Sequence, residues 1–312
     1  MRDAFGLELL EIGEKNENLV VLTADLAEAV KVHHFAKRFP ERFFQMGVAE
    51  SDMIGTAAGF ALDGKIPIAT TFAIFATSLA NQPMRLSVGY NGANVKVCVS
   101  HGGVTVGPDG ATHQAFEDLA LMRLIPGMTV IIPADSNQAR LATHEIIDFQ
   151  GPVYMRLGRI PSPVITSKND RFTIGKAQEL QDGQDIVVFA SGLMLAKALE
   201  ARETLSKEHN VSAAIVNIHT IKPLDDESVI KWARRCNAVV TAEEHSVIGG
   251  LGGAISELLA ENYPVPIKRV GIMDTFGESG EPEEIMNAYG LTTHTIVEAA
   301  LSVVDRKRSF DV

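Results

Sequence analysis

Short runs of β-branched and other apolar residues alternate along this chain with segments whose apolar positions recur every three to four residues. The first pattern marks buried strands, and the second marks helices packed on one face. In order, it predicts a helix from Asp3, a strand over 19–23, a helix over 50–62, a strand over 66–70, a helix over 77–90 and a strand over 95–99. It continues through a helix over 115–124, a strand over 129–132, a helix over 136–149 and a strand over 153–155. Strand and helix alternating with short connections is how parallel βαβ units read. Residues 160–184 break the rhythm, collecting Pro161, Pro163, Gly175 and Gly183 among polar residues, and so read as a linker. A second alternation follows: strands over 186–189, 213–217 and 238–241, with helices over 193–205, 226–235 and 253–263. The expected fold is α/β in two domains, each a mostly parallel sheet flanked by helices. Residues 1–165 form the first, 166–184 the linker and 185–312 the second.

Composition narrows the partners. At 312 residues with 46% hydrophobic, two cores fit better than one. Lys and Arg total 28 against 39 Asp and Glu, a formal charge of -11 that repels phosphate backbones and anionic lipid. Neither nucleic acid nor a membrane is expected as a partner. The two cysteines, Cys98 and Cys236, sit in apolar runs that suit buried thiols, so no disulfide framework is expected and a reducing, cytoplasmic setting fits. The first 17 residues read as an amphipathic helix rather than a leader, and no apolar run reaches the roughly 18 residues of a membrane span.

Ligands of such sheets gather at the carboxyl ends of the strands, so chemistry is sought in the loops there. Three stand out. In FFQMGVAESDMIGTAAGFAL, Glu50 opens a Gly- and Ala-rich helix almost without charge after Asp52, which reads as tightly buried. A carboxylate there feels opposed effects, because helix amides favour its ionised form and desolvation favours the neutral acid. Satisfying first-turn amides is its plainer role. In TTFAIFATSL, Phe72 and Phe75 on their own read as core. SHGGVTVGPDGATHQAFEDL is a long glycine-lined loop carrying His101, Asp109 and His113. Flexible backbone with two imidazoles and a carboxylate is poor core material, since unpaired buried polar groups are costly. The set suits proton shuttling near neutral pH, with metal binding and plain solvent exposure as the alternatives. Adjacent His33 and His34 would point about 100° apart on a helix and make a poor metal pair. The cluster from Gly249 to Gly253 opens a helix and serves either packing or the approach of an anion.

Taken in order, these segments resemble the pyrimidine-binding domain of transketolases, and the resemblance extends over nearly the whole chain. It is carried by ADL at 24–26, GVAE at 47–50, TTF at 70–72 with Phe75 three positions on, and the pattern S-H-x-G-x-x-x-G-x-D-G-x-T-H from Ser100 to His113. YMRLGR at 154–159, IKPLD at 221–225 and TAEEHSVIGGLG at 241–252 complete it.

The resemblance implies a pyrimidine-binding domain followed by a transketolase C-terminal domain, and thiamine diphosphate as cofactor. It implies that Glu50 hydrogen-bonds the cofactor's pyrimidine ring, that Phe72 stacks on that ring, that Phe75 walls the pocket, and that Asp25 and Leu26 lie nearby. His101 and His113 would handle the sugar's hydroxyl and carbonyl protons during transfer of a two-carbon ketol unit, and Asp109 would read a hydroxyl of the acceptor. Arg156 or Arg159, with Arg2, would grip the terminal phosphate of sugar phosphate substrates. Two family features are replaced, a tyrosine by Ser78 and a phosphate-binding serine by Ala29. The chain also contains no Gly-Asp-Gly, the family's motif for a divalent metal and the diphosphate. A separate N-terminal-type chain is therefore expected to hold magnesium or calcium, in a two-plus-two assembly whose core is a dimer of this chain. Deoxyxylulose-phosphate synthase, the beta subunit of two-oxoacid dehydrogenases and a non-catalytic assembly module are the rival readings.

Overall fold

The computed structural model describes residues 1–310. In its first part, α1 (Arg2–Gly13), β1 (Leu19–Thr23), α2 (His33–Arg38), β2 (Phe43–Gln45), α3 (Glu50–Leu62) and β3 (Ile66–Thr70) follow one another. After β3 come two π-helical stretches, Phe75–Leu79 and Met84–Tyr90, on either side of the single turn α4 (Asn81–Pro83). Then come β4 (Lys96–Val99), α5 (Asp118–Leu124), β5 (Thr129–Ile131), α6 (Ser136–Asp148) and β6 (Val153–Arg156). The pattern predicts an α-helix over 77–90, and the chain departs from it for a local reason. Thr77 Oγ1 donates to Ala73 O (2.8 Å) and Ser78 Oγ to Ile74 O (2.6 Å), while Pro83 has no N–H to give. Side-chain hydroxyls that take the i−4 carbonyls compete with the helical ladder, and a wider turn results.

The second part holds β7 (Gln178–Gln181), β8 (Ile186–Ala190), α7 (Met194–His209), β9 (Ala213–Asn217), β10 (Thr220–Lys222), α8 (Asp226–Cys236), β11 (Val239–Ser246), α9 (Leu251–Asn262), β12 (Ile267–Ile272), α10 (Pro282–Ala288) and α11 (Thr293–Phe310). Its sheet has the order β12-β11-β8-β9-β7, parallel except for β7. The first sheet has seven strands in the order β10-β5-β6-β4-β3-β1-β2. Its outermost member, β10, comes from the second part of the chain and runs antiparallel to β5. One apolar cluster runs from Leu22, Ile54 and Val97 through Ile132 and Ile221 to Val187, Trp232 and Leu259, so the two sheets share a core. The segment expected to be a linker is likewise tied down. Asp135, which caps α6 through Gln138 N (2.9 Å), also accepts from Ile165 N (2.7 Å) and Thr166 N (2.6 Å), and β7 ends the segment as a strand.

Candidate active site

The order β6-β4-β3-β1-β2 places five parallel carboxyl ends side by side. The connections that leave them carry Arg159, His101 to His113, Phe72 and Phe75, Asp25 and Leu26, and Glu50. Register past the strand ends is kept by a parallel bridge between Phe72 and Ser100, in which Ala73 N donates to Ser100 O (2.8 Å).

At the centre, the Phe72 ring lies 3.7 Å from the His101 ring at 26°, and 5.7 Å from the Phe75 ring at 17°. The Phe75 ring meets His113 edge-on at 5.3 Å. Phe72 is buried and Phe75 half-buried. Glu50 is only 4% exposed at the head of α3, and its Oε1 accepts one long bond, from Thr71 Oγ1 at 3.5 Å. No side chain caps this helix. A buried carboxyl so lightly engaged keeps bonding capacity for a ligand. Asp25 holds φ +60° and its N–H donates to Gln45 Oε1 (2.6 Å), while Leu26 packs half-buried beside it. His101 also holds φ +60°. Left-handed backbone at a bulky residue costs on the order of 1–3 kcal/mol and gathers at functional sites.

Next to this aromatic floor lies a cationic wall. Arg2 Nη1 donates to Ala29 O (2.6 Å) and its Nη2 to Arg159 O (3.0 Å), while Arg159 Nη1 donates to Val106 O. Burial pushes the His101 imidazole down to about 3, and the charges of Arg2 and Arg159 and the neighbouring His113 push the same way. His101 is therefore neutral at physiological pH, able to donate from one ring nitrogen and accept at the other. Ser100 Oγ lies 2.8 Å from its Nδ1. His113 is half-buried with Thr112 Oγ1 2.9 Å from its Nδ1, and Asp109 stands exposed at the loop tip in a 3-10 turn, Gly107–Asp109.

Three expectations are corrected. Arg156 does not face this site. The residue is 4% exposed, and its guanidinium lies 3.6 Å from Asp118 and 4.0 Å from Glu244 and donates to Glu244 O (2.6 Å). Burial pulls its pKa down, but Asp118 and Glu244 outweigh that and hold it above the usual arginine value. Second, the glycine-lined loop, expected to be poor core material, is buried from His101 to Gly107, and its glycines pack closely: a Cβ on Gly102 would run into Arg156 Nε, and one on Gly103 (φ +82°) into the Glu244 carboxylate. Third, α3 is buried on one face only. Met53, Ile54, Ala57 and Ala58 point inward, while Leu62 is 70% exposed and a Cβ on Gly55 or Gly59 would meet open space.

The cluster from Gly249 to Gly253 is packing. Glu243 already takes the N–H groups of Leu251 and Gly252 (2.7 Å each), and a Cβ on Gly250 would collide with Glu243. The sequence offers Glu243, Glu244 and His245 in the run AEEH either as structural groups or as the border of the site, and gives no signal for Gln114 or Asp118. Glu244 and Gln114 hold the histidine loop, and Asp118 faces Arg156 beneath it. Among the described residues, no group of three or more His, Cys, Asp or Glu is placed to hold a metal ion, and no helix is long and apolar enough to cross a membrane.

Comparison with known proteins agrees with this architecture. Residues 1–163 match the family model of the transketolase pyrimidine binding domain, and residues 175–296 that of the transketolase C-terminal domain. A 6-deoxy-6-sulfo-D-fructose transketolase subunit of Clostridium sp. (strain MSTE9) is 47% identical over 307 residues, covering 98% of this chain and 95% of that protein. A putative transketolase C-terminal section of Methanocaldococcus jannaschii is 44% identical over 310 residues, covering 98% and 97%. A solved structure described as a split gene transketolase, inactive beta4 tetramer, superposes with a TM-score of 0.92 at 46% identity, covering 98% of both chains. By its fold, the order of its motifs and these matches over nearly its full length, this chain belongs to the transketolase family.

Proposed function

We propose that this chain is one subunit of a two-chain, thiamine-diphosphate-dependent transketolase that moves a two-carbon ketol unit between sugar phosphates. The observation that carries the reading is Glu50, buried and nearly unpartnered, beside the stacked Phe72, Phe75 and His101 rings. These residues fit a flat heterocycle that offers a ring nitrogen to an acid. When bound, thiamine diphosphate supplies the nucleophilic carbon and electron sink that allow a carbon–carbon bond beside a carbonyl to break and re-form.

The chain's own residues do the rest. Glu50 holds a proton at its carboxyl against the pyrimidine, in a site kept dry by Phe72 and Phe75. Asp25 and Leu26 border it. Neutral His101 donates to and accepts from a substrate hydroxyl without recharging, and His113 across the Phe75 ring serves the carbonyl side. Asp109 at the loop tip reads an acceptor hydroxyl, and Arg2 with Arg159 grips the terminal anion. The relative from Clostridium is named for a sulfonated ketose, which favours such a sugar as a second donor class for this chain.

The diphosphate and its divalent metal need ligands that these residues do not offer, so a partner chain bearing Gly-Asp-Gly supplies them. The uncovered apolar side, with Val48, Leu62, Leu79 and Tyr90 each more than half exposed, is the surface on which two copies of this chain meet. Domain limits of 1–165 and 185–312 joined by 166–184 remain our division of the chain. The experiment is to mix the chain with such a partner, thiamine diphosphate and magnesium, and follow xylulose 5-phosphate with ribose 5-phosphate, and separately 6-deoxy-6-sulfofructose. Ketol transfer from either donor supports the reading. Pyruvate consumption, or no transfer from any ketose, overturns it.

A further inference from the structure

The loop that carries His101, Asp109 and His113 is gripped by a single side chain of the second sheet. Glu244, near the end of β11, turns its Oε1 to the backbone of that loop and accepts from Val104 N and Thr105 N, both at 2.9 Å. It does so while only 6% exposed. Those amides sit at the neck of the loop. Gly103 N donates to Ala115 O (2.7 Å) and Ala115 N to Gly103 O (3.0 Å), which joins the two arms. His101 lies two residues before one side of the neck and His113 two residues before the other, so the neck sets the distance between the two imidazoles.

A second tie runs alongside. Gln114 Nε2 donates both to Val104 O (3.1 Å) and to Glu278 O of the second domain (2.9 Å). The charge of Glu244 is met by Arg156, which is itself held by Asp118 and by the carbonyl of Glu244. Two short amide bonds to one buried carboxylate are among the stronger non-covalent fixings available to a loop. Beyond the neck, Arg159 Nη1 donates to Val106 O, and Pro108 and Asp109 stand exposed at the tip.

We propose that Glu244 is a positioning residue of the ketol-transfer site, by which the C-terminal domain fixes the spacing of His101 and His113. The proposal rests on the reading of this loop as catalytic. It gives the second domain a part in turnover although, among the described residues, no ring contact or hydrogen bond joins its side chains to Phe72, Phe75 or His101.

The test uses the reconstituted two-chain enzyme with Glu244→Ala, Glu244→Gln and Gly103→Ala, and amide hydrogen exchange of the segment 101–115 in each. Glu244→Ala removes the acceptor, and kcat is expected to fall about 10- to 100-fold, since misplacing catalytic groups by an ångström costs that much. The half-saturating cofactor concentration stays near the wild-type value, because Glu50, Phe72 and Phe75 are untouched. Exchange at Val104 and Thr105 speeds by about tenfold as the local opening becomes cheaper. Glu244→Gln keeps an oxygen in place and recovers most of the rate and the protection. Gly103→Ala pushes the same carboxylate and Arg156 Nη2 from the loop side and strains the neck at φ +82°, and it loosens the loop even should Glu244→Ala fail to fold. Wild-type rates and exchange in the alanine variants, or a glutamine variant as impaired as the alanine one, would overturn the proposal. A wild-type mixture without ketol transfer defeats the functional reading instead, and the exchange measurement still decides whether Glu244 holds the loop.

Discussion

The rim of the first sheet and the junction beneath it are both built from buried polar groups, and they treat them in opposite ways. At the rim, buried Glu50 has one bond at 3.5 Å and buried His101 sits in left-handed backbone, as does the exposed Asp25 beside them. At the junction, Tyr154 Oη donates to Asp118 (2.7 Å), Arg156 is flanked by Asp118 and Glu244, and Glu244 holds two loop amides. The junction turns its charged groups on one another, with Asp118 Oδ1 facing the Arg156 guanidinium at 3.6 Å, and so it supports. The rim keeps capacity in reserve and tolerates strain, which is what a site needs if a ligand is to complete it.

Substitutions should separate the two regions by what they damage. The largest effect is expected at the rim: Glu50→Gln should lower ketol transfer about 10²–10⁴-fold, the range for losing a positioned acid or base, with circular dichroism and assembly unchanged. At the junction, Arg156→Ala should instead cost stability, roughly 3–5 kcal/mol in urea unfolding, because it leaves two carboxylates buried without their cation. Arg156→Met, which fills the space, should still fall short of wild type for the same reason.

These two sites also mark where sequence stopped being informative. The alternation of strands and helices was legible because each buried strand is a short apolar run, and the loops at strand ends followed from it. Arg156 and Arg159 were indistinguishable in YMRLGR. The structure separates them because Arg156 is the last residue of β6, beneath the loop, while Arg159 lies beyond the strand end. Glu244 was invisible as an anchor because its partners, Val104 N and Thr105 N, are backbone groups 140 and 139 residues away. Strand β10 is three residues long, too short for any periodicity, and its place in the first sheet is set by tertiary pairing. The half-covered α3 misled for another reason: a Gly- and Ala-rich face can be meant for a second chain as well as for the core of its own.

A smaller effect should appear with pH. Burial holds His101 down to about 3 and His219 down to about 4, both below the ordinary value of 6.5. Their folded forms refuse a proton that the unfolded chain accepts, so their contribution is intact above 6.5 and is lost as pH falls toward 4. Chemical denaturation across that window should show falling stability, and His219→Gln should flatten the slope. NMR titration should find His101 neutral down to pH 5. The smallest effect on the single chain is expected at the uncovered face: Leu62→Lys should leave thermal stability nearly unchanged while shifting the chain to smaller assemblies in light scattering.

Calorimetric titration of thiamine diphosphate with magnesium, into this chain alone and into its mixture with a Gly-Asp-Gly partner, tests the central claim most directly. The account predicts saturable binding in the mixture, one cofactor per pair of chains, and none by the single chain at concentrations that saturate the mixture. Tight binding by the isolated chain would contradict it.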